Sequence, residues 1–124
     1  MSDNGKLVLL AEDDELLRLV ARKQLEHLSF HCRCAENGVQ AVELANLETY
    51  AAILMDIQMP VMDGLEAAGK IREVEKNADR ARTPIIAMTA FAENKFKNDD
   101  RIDDVLIKPV SLHSLRFALE KWRF

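Results

Sequence analysis

The sequence predicts an α/β fold: a three-layer sandwich with a five-stranded parallel sheet and helices on both of its faces. Three observations point there. Short apolar runs alternate with helical stretches about five times along the chain. Strands separated by helices pair in parallel, because a parallel pair needs a crossover, and that crossover is right-handed. The strand-like runs are apolar at successive positions, as strands buried on both faces are. With 124 residues and no repeat, linker or low-complexity tract, the chain reads as one domain spanning residues 1–124.

The elements follow in order. Lys6 to Ala11 is the first strand, and Glu15 to Leu28 a helix with Leu17, Val20, Ala21, Leu25 and Leu28 on one face. Phe30 to Ala35 alternates in side-chain size and reads as a second strand, which Asn37-Gly38 ends before a helix from Val39 to Leu47. Ala51 to Met55 is the third strand. Asp63 caps the next helix, whose buried stripe is Ala67, Ala68, Ile71, Val74 and Ala78. Thr83-Pro84 leads into a fourth strand, Ile85 to Met88, and Val105 to Ile107 is the fifth. Ser111 caps a last helix with Leu112, Leu115, Leu119 and Trp122 at helical spacing.

Composition excludes several classes. A hydrophobic fraction of 48% with only four Gly and three Pro rules out a disordered or linker-like chain. The formal charge of −4, from 21 acidic against 17 basic residues, argues against nucleic-acid binding by this domain. No apolar run approaches the roughly 20 residues of a membrane helix. The polar start Met1-Ser2-Asp3-Asn4-Gly5 has no signal-peptide core behind it, so the expectation is a cytoplasmic location without membrane contact. Cys32 and Cys34 fall on one face of the second strand and read as reduced thiols; His31 beside them is a weak metal signal without a second ligand pair.

In parallel α/β sheets ligands bind beyond the carboxyl ends of the strands. Here those ends carry Glu12, Asp13 and Asp14, then Asp56, then Thr89, then Lys108 and Pro109. Each residue has an ordinary reading taken alone: helix start, loop acid, cap, surface lysine. Their joint placement does not. Clustered carboxylates repel unless a cation sits among them, and an all-oxygen set favours a hard ion, here Mg²⁺. A carboxylate beside that ion can attack a phosphoryl group to give an aspartyl phosphate. Lys108 then offsets charge on the phosphoryl oxygens, and Thr89 donates a hydrogen bond to one of them.

The chain resembles the receiver domains of two-component response regulators over essentially its whole length. The resemblance rests on Leu9-Leu10-Ala11-Glu12-Asp13-Asp14, on Ile53 to Gly64 (ILMDIQMPVMDG), on Ile85-Ile86-Ala87-Met88-Thr89-Ala90, and on Val105-Leu106-Ile107-Lys108-Pro109. The second stretch is the most specific and is most similar to receivers of hybrid sensor histidine kinases. It implies strand order 2-1-3-4-5, the flavodoxin-like arrangement. It implies Asp56 as the phosphoacceptor, with Mg²⁺ held by Glu12, Asp13, Asp56 and the backbone carbonyl of Gln58. Thr89 and Lys108 would be the switch hydroxyl and the phosphoryl-binding cation, the Lys108–Pro109 bond would be cis, and Asp14 belongs to the start of the first helix. The donor would be a histidine kinase or a histidine phosphotransfer protein.

Two departures stand out. Val105 occupies a position usually aromatic in the family, and the stretch from Thr89 to Val105 is about three residues short. With its repelling acids Asp99, Asp100, Asp103 and Asp104, the segment from Glu93 to Asp104 is expected to hold a short, displaced or mobile helix. Output would then run through the first helix and the site loops. Gln58 is expected to position a hydrolytic water and Phe91 to shield the site, giving slow loss of the phosphoryl group. Two other readings have specific objections. A docking-only pseudo-receiver would lack an acid, the acceptor or the lysine, and none is missing. An aspartyl-nucleophile phosphatase would carry a second Asp where Gln58 stands.

Overall fold

The computed structural model describes residues 6–90 and 98–122. Its strands are β1 (Leu7–Ala11), β2 (His31–Ala35), β3 (Ala52–Asp56), β4 (Ile85–Thr89) and β5 (Asp104–Ile107). Its helices are α1 (Glu15–His27), α2 (Gly38–Leu47), α3 (Gly64–Asn77) and α4 (Leu112–Lys121). The sheet order is β2-β1-β3-β4-β5 with every pair parallel, as the resemblance implies.

Alternation along the strands sends side chains to two cores. Leu7, Leu9, Ile53, Met55, Ile85 and Ala87 pack against Ala41 and Ala45 of α2 and Ala67, Ala68 and Ile71 of α3. Val8, Leu10, Leu54, Ile86 and Met88 pack against Leu25 of α1 and Leu115, Ala118 and Leu119 of α4. Each helix opens on a side-chain cap: Asp14, Asn37, Asp63 and Ser111 accept from the backbone N–H three residues on. Asn37, read in the sequence as a break, is thus the start of α2.

Three features differ from the sequence pattern, two of them helix faces. On α1 only Leu25 is buried, while Leu17 and Val20 are exposed together with Leu16 and Leu19. On α3, Ala78 is an exposed C-cap, and the inward position four residues after Ile71 is held by Glu75. Glu75 is tolerated there because Arg72, one turn back, satisfies it. Arg72 donates to Glu75 Oε1 at 2.8 Å, Asp103 Oδ2 at 2.7 Å, the Thr83 carbonyl at 2.9 Å and the Arg101 carbonyl at 3.1 Å. Replacing Arg72 by Ala is expected to cost on the order of 3–5 kcal/mol in a urea melt, since buried Glu75 loses its counter-charge and half-buried Asp103 keeps only Arg82. A change below about 1 kcal/mol, the scale of exposed pairs, would contradict that reading of the network.

The third difference lies before β5. The expected repulsion among Asp99, Asp103 and Asp104 is offset by dedicated partners. Asp99 pairs with Arg101, Asp103 with Arg72 and Arg82, and Asp104 with Lys121 and the Trp122 indole N–H. Ile102 is buried in the α2–α3 core, and Arg101 reaches the Leu65 carbonyl on α3. Residues 98–103 are therefore fastened to α3, and among the described residues no helix lies between β4 and β5. The expectations for a displaced helix across 93–97 and for Phe91 over the site lie outside the described residues.

Candidate functional site

Parallel strands bring their carboxyl ends to one edge, and register sets which residues meet there. Ala11 pairs with Met55, Asp56 with Met88, and Thr89 with Ile107, so Glu12, Asp56, Thr89 and Lys108 stand at successive strand ends. Glu12, Asp56 and Thr89 are buried; Asp13 is exposed at the mouth.

Lys108 ties the centre together. Its ammonium donates to Glu12 Oε1 at 3.0 Å and to Asp56 Oδ2 at 3.1 Å. Carboxylate oxygens of Glu12, Asp13 and Asp56 lie within 4.8 Å of one another. The remaining Asp56 oxygen, Oδ1, accepts the Gln58 N–H at 3.1 Å, and Glu12 Oε2 accepts the Asp14 N–H at 3.2 Å. Burial, followed by the adjoining Asp56 carboxyl, raises the Glu12 pKa above its ordinary 4.5 despite Lys108. Burial alone would lower Lys108, but its bonds to Glu12 and Asp56 outweigh that and raise it. Three acids against one ammonium leave the pocket short of positive charge. A hard, oxygen-seeking divalent ion fits that deficit and the donor set.

The surrounding backbone is held for this purpose. A Cβ on Gly64 would strike the Asp56 carbonyl oxygen, so only glycine lets α3 begin against the end of β3. A Cβ on Gly38 would meet Met62 Cβ at 2.8 Å, which fixes α2 against the loop after Asp56. Gly64 also donates to the Ile57 carbonyl at 2.9 Å, closing the 57–64 loop. The Lys108–Pro109 bond is cis.

Glu12, Asp13, Asp56 and Lys108, singled out from sequence, thus converge. Asp14 is the α1 cap, accepting the Leu17 N–H at 2.9 Å, and Asp63 is the α3 cap, accepting the Glu66 N–H at 2.8 Å. Thr89 is buried at the end of β4, its carbonyl accepting the Lys108 N–H at 2.7 Å. The Gln58 side chain is exposed, and its backbone N–H faces Asp56. Sequence reasoning missed Arg18. Its guanidinium donates to the Glu12 carbonyl at 2.9 Å and the Asp13 carbonyl at 3.5 Å, bracing the acid loop from the first turn of α1. A lone arginine on an amphipathic helix carries no signal for that task.

The family model of the response regulator receiver domain matches residues 8–120. The chain belongs to that family. It is a receiver domain of two-component systems. It is 39% identical over 120 residues to the hybrid signal transduction histidine kinase G of Dictyostelium discoideum, covering 93% of this chain and 3% of that protein. The receiver thus spans a small fraction of that relative. Among solved structures it resembles the receiver domain of sensor histidine kinase PA1611 from Pseudomonas aeruginosa, crystallised with magnesium in the active-site cleft. The TM-score is 0.83 at 35% identity, covering 95% of this chain and 97% of that one. It also resembles a chain of the co-crystal structure of the Saccharomyces cerevisiae phosphotransfer protein Ypd1 and the receiver domain of Ssk1. There the TM-score is 0.85 at 29% identity, with 94% and 88% of the two chains covered.

Proposed function

We propose that this receiver takes a phosphoryl group onto Asp56 from a phosphohistidine of a kinase or histidine phosphotransfer protein. The observation that carries the reading is Lys108 bridging Glu12 and Asp56 beside Asp13. An Asp56 carboxylate oxygen attacks phosphorus, the O–P bond forms, and the P–N bond breaks with its electron pair returning to the imidazole. Lys108 offsets charge gathering on the phosphoryl oxygens, and the Thr89 hydroxyl donates to one of them. Glu12, Asp13, Asp56 and the Gln58 carbonyl are the residues that would hold Mg²⁺. When bound, that ion neutralises phosphoryl charge and fixes its orientation.

Beside the site, a groove of about 360 Å³ runs between α1 and α4, lined by Leu17, Val20, Leu115, Pro109, Glu12 and Lys108. With Leu16 67% exposed and Leu19 49%, α1 offers an apolar face beside a groove that reaches Glu12 and Lys108, suited to the helices of a phosphodonor. The clamped 98–103 segment leaves α1 and the site loops as the surface for relay. The domain is taken as 1–124, cytoplasmic, and without nucleic-acid or membrane contacts of its own. Among the described residues no helix is long and apolar enough to cross a membrane.

Transfer from a radiolabelled, phosphorylated histidine phosphotransfer protein tests the reading. Label is expected to move to this chain in the presence of Mg²⁺ and to stay on the donor with chelator. Labelling by a small acyl phosphate but by no phosphohistidine protein would overturn the partner; labelling by neither would overturn the function.

A further inference from the structure

Cys32 and Cys34 occupy alternate positions of β2, an edge strand, with Sγ atoms 3.4 Å apart. Both are free thiols, half-buried, facing the core under α1 and α4. Among the described residues, His, Cys, Asp and Glu side chains gather into a potential three-ligand metal group at Glu12, Asp13 and Asp56, not at this pair. The contact is therefore suited to sulfur–sulfur chemistry rather than to a metal.

Same-face neighbours on a strand are about 6.4–6.8 Å apart at Cα, at the upper limit of what a disulfide spans. The bridge closes only by drawing β2 together along its length. A bond strained in that way is readily reduced again, the property of regulatory rather than structural disulfides.

We propose that Cys32 and Cys34 form a reversible thiol–disulfide pair, oxidised by a peroxide, whose closure loosens the Glu12 arm of the phosphoacceptor site. Burial and the neighbouring Cys34 sulfur push the Cys32 thiol up to about 12. Cys32 thus keeps its proton and is the resolving sulfur, in contact with Cys34 at 3.4 Å. Cys34 gives up its thiol proton to water and its sulfur attacks a peroxide oxygen; the O–O bond breaks, and the departing hydroxide regains a proton, giving a sulfenic acid and, from hydrogen peroxide, water. Cys32 sulfur then attacks the Cys34 sulfur, and the departing hydroxide takes the Cys32 proton as a second water. Two electrons pass from the sulfurs to the O–O bond.

The route to the site is short. Cys32 pairs with Val8 and Cys34 with Leu10, and the next residue, Ala35, accepts the Glu12 N–H on its carbonyl at 3.0 Å. Shortening β2 shifts that carbonyl and the acid it holds. This part rests on Glu12 acting as a metal ligand under the proposed function.

The test uses the wild-type protein, reduced and then treated with hydrogen peroxide. Alkylation in denaturant followed by intact mass is expected to show both thiols blocked within one chain and two hydrogens lost. Calorimetric titration should show Mg²⁺ affinity falling on the order of tenfold, the scale set by loss of a supporting contact. Dithiothreitol should restore both readings. Cys34→Ser should bind Mg²⁺ like the reduced wild type and not respond to peroxide. Thiols that stay alkylatable, or that bridge two chains, would overturn the pair. A disulfide with unchanged Mg²⁺ affinity would overturn the coupling. Failure of the reduced protein to bind Mg²⁺ would overturn the function reading and the coupling together, leaving the alkylation result to decide the thiol pair.

Discussion

Asp56→Asn is expected to reduce phosphorylation below detection while leaving the protein folded. The amide is nearly isosteric and its oxygen can still accept the Gln58 N–H that Asp56 Oδ1 accepts at 3.1 Å. It has no carboxylate oxygen to attack phosphorus, so no acyl phosphate forms. Lys108 loses one of its two partners and keeps Glu12 at 3.0 Å, so the ammonium is not stranded. Intact mass after treatment with Mg²⁺ and a small acyl phosphate reads the loss, and a thermal melt confirms the fold. Wild-type labelling by the variant would remove Asp56 from its role.

Asp13→Ala is expected to separate metal binding from folding. Asp13 is exposed and makes no side-chain bond to the core among the described residues, whereas its carboxylate completes the cluster with Glu12 and Asp56. Losing a direct ligand should weaken Mg²⁺ at least as much as the roughly 10–100-fold seen when only a supporting contact is lost. Mg²⁺ should raise the melting temperature of the wild type and leave the variant's unchanged. The apo variant should be no less stable, because one repelling charge has gone. A pH series adds a second check. The Glu12 pKa is raised in the folded state, so its contribution is present below the ordinary 4.5 and lost as pH climbs through the folded value. Apo stability should therefore decline over that window, and Mg²⁺ should oppose the decline. A variant that keeps the wild-type Mg²⁺ shift would exclude Asp13 as a ligand.

What was legible in the chain was whatever depends on local order. Strand ends are fixed by where apolar runs stop, so Glu12, Asp56, Thr89 and Lys108 could be placed on one edge before any coordinates. The four caps were similarly local, although Asn37 looked like a break because Asn-Gly serves turns as readily as helix starts. Illegible features depend on partners far along the chain. The acids at 103 and 104 repel as a sequence, yet Arg72, Arg82 and Lys121 arrive from other elements to pair with them. Glu75 in a buried stripe position is intelligible only with Arg72 beside it. The apolar pattern of α1 promised burial of Leu17 and Val20, but periodicity cannot tell a face turned to the core from one left for a partner.

Borohydride trapping tests the central claim most directly. The receiver is incubated with a phosphohistidine donor and Mg²⁺, then treated with borohydride, which reduces an aspartyl phosphate to homoserine. Peptide mass mapping should find homoserine at position 56 alone, dependent on Mg²⁺ and absent without donor. Homoserine at Asp13 or another aspartate in place of Asp56, the one-carbon-longer alcohol 2-amino-5-hydroxypentanoic acid at Glu12, or a label stable to borohydride, would contradict the account.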